Sequence, residues 1–337
     1  MVEHIKRGKH LPSWAGCVIM NIDKGGIMNL GYACINMTLS DLPKSKRVTT
    51  NRSMIKRTFK AKGLPYASEL GLLNCKDLYK VLEWNLANGF SFFRLSSDLF
   101  PWSSEYRLED LPDYQEIRAT LRKCGDFAKK HGMRITTHPG PFNVLGSPNP
   151  DVVEKTIKEL NTHSEVFDLM GLPATPWAKI NIHVGGTYGG DFEGTAKRWC
   201  ENFKRLDINT QKRLTVENDD KASMWSTKHL FDYIHSQIGI PIVFDYHHHS
   251  FCTGGQTEQE ALELAMSTWP DAITPVVHYS QSRAEEHKNI KVRPQAHSDS
   301  YWAAPDTYGH TLHIMCECKH KELGVFALRE IMNRAAA

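Results

Sequence analysis

The sequence predicts an α/β fold, a single (β/α)8 barrel of the TIM type with long loops over its C-terminal face. Short runs rich in β-branched and aromatic residues alternate with longer stretches of helical apolar spacing, the pattern of parallel strands joined by crossover helices. The strand-like runs number eight, the count that closes such a barrel. A chain of 337 residues with 41% hydrophobic content has enough apolar material for one large core of this size.

In chain order, strands are expected over 28–36, 90–95, 133–138, 179–184, 213–218, 241–245, 273–279 and 312–317. Between the third and fourth, Val153, Ile157, Leu160, Phe167 and Met170 recur at helical intervals and form one apolar stripe. Further helices are expected over 77–87, 113–131, 195–206, 228–237 and 257–268, each long enough to return the chain to the other end of the barrel. Two stretches exceed a minimal barrel. The segment 38–73, with five basic residues between Arg52 and Lys62, follows the first strand and is expected to rise as a loop over the mouth. A second insertion, 283–311, is crowded with Arg, His, Asp and Pro.

Residues 1–27, with Lys6, Arg7, Lys9 and His10, read as a basic extension preceding a barrel domain at 28–332. That start has no unbroken apolar stretch, which argues against a signal peptide or a membrane span. The formal net charge of +3, from 41 Lys plus Arg against 38 Asp plus Glu, excludes a uniformly basic surface, so contact with nucleic acid must be local. Eight scattered cysteines show neither a disulfide framework nor paired metal-binding CxxC units, and a reducing, intracellular setting fits them. Cys316 and Cys318 flank Glu317, and alternation turns them to the opposite face, into the core.

Barrel enzymes assemble their sites where strands end at the C-terminal face, and here nearly every strand ends in a metal-competent residue. His138 closes the third strand, His183 the fourth, Glu217 the fifth and Asp245 the sixth, with His248 three residues on. His278 closes the seventh and Glu317 the eighth, and His297 lies in the long loop after the seventh. A lone strand-end histidine is more often structural than ligating, but convergence of so many on one rim is not explained that way. Imidazoles and carboxylates suit manganese, zinc or magnesium more than a thiolate-seeking ion. Five histidines and three carboxylates exceed the needs of one ion, so two or three divalent ions sharing bridging carboxylates are expected. His247 and His249 are read as orienting or solvated. His163, His229, His235, His287, His310, His313 and His320 are read as structural or solvated.

The segments GYACIN (31–36), TTNR (49–52), RLSSDLFPW (94–102), HPGPF (138–142), HVGGTYG (183–189), END (217–219), FDYHHH (244–249), VHYSQS (277–282), AHSD (296–299) and ECKHKE (317–322) together resemble the UV damage endonuclease family, over about 29–324. The resemblance implies an endonuclease-IV-like TIM barrel with up to three divalent ions, nicking damaged double-stranded DNA 5′ to cyclobutane pyrimidine dimers and 6-4 photoproducts, and in some members at abasic sites. It implies as ligands His138, His183, Glu217, Asp245, His248, His278, His297 and Glu317. Of these, Glu217 and Glu317 are expected to bridge ions and, with His138, to carry catalysis. Tyr32 and Asn36 match residues that line the family's DNA groove. Arg52, with Lys56, Arg57 and Lys60, is a candidate phosphate contact, Phe142 an aromatic wedge, and Tyr188 a groove residue.

Two departures from the family pattern stand out. Pro141 replaces the usual Gln of HPGQ, removing an amide that would probe the lesion, and Val276 stands where some members carry a metal-associated lysine. An abasic-site endonuclease of the endonuclease IV kind is therefore the nearest rival, and a metal-dependent sugar isomerase on the same barrel a more distant one. The expected setting is monomeric and off the membrane, in the nucleus of a eukaryote or the cytoplasm and nucleoid of a prokaryote.

Overall fold

A computed structural model describes residues 29–336; the expected basic extension at 1–27 and Met28 lie outside the described residues. Eight parallel strands pair in chain order and close on themselves: β1 (Asn29–Ala33), β2 (Phe92–Leu95), β3 (Arg134–Thr137), β4 (Ile180–His183), β5 (Leu214–Glu217), β6 (Ile242–Asp245), β7 (Val276–Tyr279) and β8 (His313–Cys316). Closure is made by β1 against β8, from Asn29 opposite His313 to Tyr32 opposite Cys316. Each strand falls inside its expected span and is shorter, because pairing stops where the chain bends to present the polar residue that ends the run. Asp245 illustrates this: its side chain accepts from the backbone N–H of His248 and caps the short helix Tyr246–His249.

The outer layer comprises α1 (Lys56–Ala87), α2 (Tyr114–Lys130), α3 (Pro150–Met170), α4 (Phe192–Phe203), α5, α6 (Glu258–Met266), α7 (Arg283–Glu286) and α8 (Lys321–Ala336). Helix α5 starts over Thr227–Leu230, widens into a π turn over Phe231–His235 and ends over Ser236–Ile238. The expected loop over 38–73 is corrected. From Lys56 onward the chain is helical, so the basic residues Lys56, Arg57 and Lys60 stand on the first turns of α1. Gly63, at φ +62, breaks the helix there, and Pro65 sits in the opening turn of the longer run, where its missing N–H costs nothing. Ala67, Leu70, Cys75, Leu78 and Leu82 then bury one face.

Helix α8 was not among the expected elements, yet it buries Val325, Leu328 and Met332 against the barrel. Its fully buried Glu322 accepts from the backbone N–H of Met37 (2.9 Å) and of Thr38 (2.7 Å) and from the Thr38 hydroxyl (2.9 Å), tying the last helix to the loop after β1. Cys316 and Cys318 are buried, as alternation implied. At the opposite end of the barrel, buried Arg134 donates to the carbonyls of Trp177 (2.9 Å), Pro176 (2.9 Å) and Thr274 (2.7 Å) and lies among Phe92, Trp177 and Trp269. That plug closes the floor and leaves the C-terminal mouth as the polar end. Among the described residues no helix is long and apolar enough to cross a membrane.

Removing the Glu322 carboxyl takes the acceptor from three donors on half-buried Met37 and exposed Thr38, which water can partly replace. Glu322→Ala is expected to lower the chemical denaturation midpoint by an amount corresponding to about 1–3 kcal/mol, and an unchanged midpoint would refute the tether.

Candidate metal centre

The parallel register sets the depth of the site. His183 pairs directly opposite Glu217 across β4 and β5, and Asp245 opposite His278 across β6 and β7, so four of the expected ligands occupy neighbouring levels. His138 follows β3 by one residue, and Glu317 follows β8 by one. Glu217, only 1% exposed, is the centre. Its carboxyl lies 3.1 Å from His138 Nε2, 3.1 Å from His278 Nδ1, 3.4 Å from His248 Nδ1 and 4.0 Å from His183 Nε2. His278 Nδ1 also lies 3.2 Å from Glu317 Oε1.

Three groups of side chains place one ligand atom each within 4.8 Å of one another: His138, His183 and Glu217; Glu217, Asp245 and His248; Asp245, His278 and Glu317. Glu217 and Asp245 are each shared between two groups. Glu317 belongs to one. Seven of the eight expected ligands are thus brought together. His297 stands at the margin, its Nδ1 at 2.8 Å from Ser280 Oγ and 4.0 Å from Glu317. A fourth grouping, Glu286, His287 and Asp299, lies on the loop after β7, where backbone N–H groups of Asp299 and Ser300 occupy Glu286, and Arg283 pairs with Asp299.

Several residues that the sequence reading did not single out hold the candidate ligands in place. Arg94, in the middle of β2, pairs with Glu317, so the one strand of this rim that brings an inward cation supports a carboxyl instead of ligating. Asn181 donates to Glu217 and is itself held by Thr215 Oγ1 at 2.7 Å. His138 Nδ1 lies 3.0 Å from Pro139 O, and His183 Nδ1 3.2 Å from Asp219. The Nε2 atoms of both rings face Glu217, and Pro139 O and the Asp219 carboxyl stand behind them, the side from which an outer partner orients an imidazole. Lys179 Nζ, fully buried, reaches His278 Nε2 at 3.2 Å. The signal for these residues was present as charged or amide side chains at inward positions of apolar runs, FFRL and INIH among them.

Electrostatics supports ion binding by this cluster. Burial opposes a charge on His183, but Glu217, Asp219 and Asp245 outweigh it and hold its pKa at about 10. Burial lifts the Asp245 carboxyl to about 7; His248 pulls it down, and Glu217 and Glu317 add to the rise. Glu217 and Glu317 stay well below the usual carboxylate range despite burial, through His278 and His183 for the first and Arg94 and His278 for the second. Asp245 Oδ2 and His278 Nδ1 are buried without a properly directed hydrogen bond, an unusual condition for such atoms. Oxygen and imidazole donors left open toward a common centre fit divalent cations.

The expected DNA contacts fare unevenly. Tyr32 and Asn36 are corrected: they are 0% and 3% exposed. The Tyr32 ring packs on Phe90 and Phe93 and its hydroxyl donates to Asn85 of α1, while Asn36 donates to that hydroxyl and caps the helix Met37–Ser40. Both face the helix layer, not the mouth. Arg52 is spent on Asp77 (2.5 Å) and the Thr49 carbonyl (2.6 Å), so its guanidinium is a tether and not a free phosphate contact. Lys56 pairs with Glu105 at 3.7 Å, whereas Arg57 and Lys60 are exposed. Tyr188, at φ +46, is half exposed beneath the Arg198 guanidinium. Phe142 is 86% exposed, on a loop that Asn143 pins to Gly140 O (3.0 Å) and Glu159 (2.9 Å).

Fold and site together define a class, a TIM barrel carrying a candidate multi-ion centre of histidines and carboxylates at its C-terminal mouth. The model of the UV-endonuclease UvdE family matches residues 28–335, and the chain belongs to that family. The UV-damage endonuclease of Schizosaccharomyces pombe is 34% identical over 307 residues, 89% of this chain and 50% of that protein, so this chain spans half its length. The UV DNA damage endonuclease of Bacillus cereus (strain G9842) is 31% identical over 309 residues, 90% of this chain and 93% of that one. The crystal structure of SacUVDE superposes with a TM-score of 0.75 at 30% identity, covering 90% of this chain and 98% of that chain. Endonuclease IV from Thermus thermophilus, at 11% identity and a TM-score of 0.53 over 91% of this chain and 99% of its own, shares the fold. The expected family and barrel are both borne out.

Ligand binding to the folded state alone stabilises it by about 2.7 kcal/mol at a hundredfold excess over Kd. Manganese added to chelated protein is therefore expected to raise its thermal midpoint by several degrees, and Glu217→Ala to abolish that rise while His287→Ala keeps it. An equal rise in all three proteins would remove the centre from this cluster.

Proposed function

We propose that the chain is a DNA-repair endonuclease that nicks double-stranded DNA 5′ to ultraviolet photoproducts, cyclobutane pyrimidine dimers and 6-4 photoproducts, and also at abasic sites, leaving 3′-hydroxyl and 5′-phosphate ends. One observation carries this reading: three overlapping ligand groups meet on Glu217 and Asp245 at the open mouth of a UvdE-family barrel. Hydrolysis of a phosphodiester needs an activated water, charge stabilisation on the phosphoryl oxygens and relief of the leaving oxygen, and clustered divalent ions supply these when bound. We assign two or three ions, manganese first, with zinc or magnesium as alternatives.

In this scheme Glu217 and Asp245, each shared between two ligand groups, would hold the ions together with His138, His183, His248, His278 and Glu317. His297 joins from the marginal loop. Glu317 is the second bridging candidate anticipated from the sequence, and Arg94 keeps its carboxyl aimed into the mouth. Glu217, Glu317 and His138 are assigned as the catalytic residues. Asn181 fixes the rotamer of Glu217 from below, and the Arg134 plug excludes water from the floor. Phe142 stands ready to stack in a gap left by displaced bases, an interaction worth about 1–3 kcal/mol. Lesions favour such displacement because their stacking is already weakened. The seven free cysteines of the described residues suit an intracellular setting, nuclear or nucleoid.

Pro141 favours a second reading, in which abasic sites are the main substrate, since no amide stands beside Phe142 to probe an intact dimer. Incision of matched duplexes carrying one photoproduct or one abasic site, with Mn²⁺, separates the two. The expected result is cleavage immediately 5′ to the photoproduct, lost with a chelator and in His138→Ala. Phe142→Ala is expected to lower kcat/KM about 10- to 100-fold, and Pro141→Gln to raise photoproduct incision relative to abasic incision. Cleavage that persists under chelation overturns the mechanism, and cleavage confined to abasic duplex establishes the second reading.

A further inference from the structure

The loop after β7 has a construction that the candidate centre does not require. An antiparallel bridge pairs Ser282 with His297, reinforced by Arg283 N–H to Ala296 O (2.7 Å), Ser298 N–H to Gln281 O (2.7 Å) and the Ser282 hydroxyl to Pro294 O (2.8 Å). The pinch encloses residues 283–296. Its tip is ordered by its own bonds: Asn289 N–H to Ala284 O (2.9 Å), Lys291 N–H to Asn289 Oδ1 (3.0 Å) and Val292 N–H to Asn289 O (3.1 Å), with Lys288 at φ +48. Ile290 stands on this tip at 99% exposure, the most exposed large apolar side chain among the described residues. Lys288, Lys291 and Arg293 around it are exposed, and among the described residues no acidic side chain pairs with them.

A single exposed isoleucine is ordinary on a protein surface. This one differs in being held out by a rigid turn, ringed by three free cations, and tied through His297 to the rim of the candidate centre. Strand order places its base. In a closed eight-stranded barrel β7 lies across from β3, so the bases of this loop and of the Phe142 loop stand on opposite sides of the mouth. A polyanion long enough to cross the mouth from Phe142 can reach the β7 side. Free cations there suit phosphates, and an isolated aliphatic tip suits insertion at a base step from the minor groove.

We propose that the 288–293 tip is a second duplex contact, in which Lys288, Lys291 and Arg293 hold backbone phosphates and Ile290 wedges into the groove across the mouth from Phe142. It rests on the DNA-repair reading above. The role of His297, on the same loop's base, then includes coupling the seating of the duplex to the rim of the centre.

The test is fluorescence-anisotropy binding of a labelled duplex of about 30 base pairs, long enough to span two contacts, with one thymine dimer, in Ca²⁺ to prevent cutting, at several salt concentrations. A Lys288→Ala/Lys291→Ala/Arg293→Ala triple variant is expected to bind at least roughly tenfold more weakly and to flatten the salt dependence by about 0.9 per lost phosphate contact. Ile290→Ala, which cannot disturb a core, is expected to bind several-fold more weakly with the salt slope unchanged. The manganese-induced rise in thermal midpoint should survive in both. Wild-type affinity and slope in both variants, while the unaltered protein binds and incises, overturns the tip as a contact and leaves the endonuclease standing. Failure of the unaltered protein to bind or cut the duplex overturns the endonuclease reading itself, and the contact with it.

Discussion

Three carboxyl groups, those of Glu217, Asp245 and Glu317, are gathered in the barrel mouth at a depth where water screens them poorly, and their mutual repulsion is the constraint around which the rest is arranged. Two negative charges at such separations repel by several kcal/mol even at an effective dielectric near about 20. Resident groups answer part of this. Arg94 pairs with Glu317, the acidic neighbours of His183 raise its pKa to about 10 against the opposing effect of burial, and Asp245 gives way, its carboxyl lifted to about 7. The remainder is visible as unsatisfied atoms, Asp245 Oδ2 and His278 Nδ1. Uncompensated buried charge is costly to a fold, and the same cost becomes affinity when divalent cations bind.

A parallel barrel is suited to imposing that constraint. Its strands bring backbone hydrogen bonding to completion among themselves, so side chains at the strand ends are positioned by a rigid ladder, and the opposition of His183 to Glu217 and of Asp245 to His278 follows from register alone. The barrel interior then supplies support from beneath each ligand. Thr215 holds Asn181, and Asn181 holds Glu217; Lys179 backs His278. Below them the buried Arg134 plug fills the floor, and burial strengthens the electrostatic contacts above it. Repulsion at the mouth and packing at the floor therefore depend on one another, and the closure by β1, β8 and the Glu322 tether is what keeps both ends in register.

How much of this was legible in the sequence differs by the kind of signal. The strands were legible because burial on both faces makes them apolar runs, and the candidate ligands because so many metal-competent residues end successive runs on one rim. Cys316 and Cys318 could be placed by simple alternation. The start of α1 was not legible: the basic, polar composition of 38–73 suggested a loop, and only the structure shows Pro65 in the opening turn of a long helix. Tyr32 was placed in the groove by resemblance alone, which carries a position without its surroundings; here its hydroxyl finds Asn85 and the side chain settles in the helix layer. Arg94 and Asn181 were visible only as polar residues in apolar runs, and their meaning needed the partner across the barrel.

Depth also divides the labour between strands and loops. The candidate ligands sit on or next to strands, where about half an ångström matters; the proposed contacts to a large, deformable substrate sit on loops, where reach matters more. The HPGPF turn joins the two within five residues. His138 faces Glu217 at 3.1 Å, while Phe142, four positions on, is turned out to 86% exposure. Pro139 and Pro141 restrict the backbone between them, and Asn143 fastens the far side to Gly140 and to Glu159 of α3. An aromatic ring so exposed is unfavourable for the free protein, and so stiff a mounting is unnecessary for a surface ornament. Both features make sense if the ring's distance from the ions must be constant, so that a base gap found by Phe142 places one particular phosphodiester over Glu217. On the proposed endonuclease reading, the position of cleavage relative to the lesion would then be set by the length of this turn, a geometric ruler built from five consecutive residues.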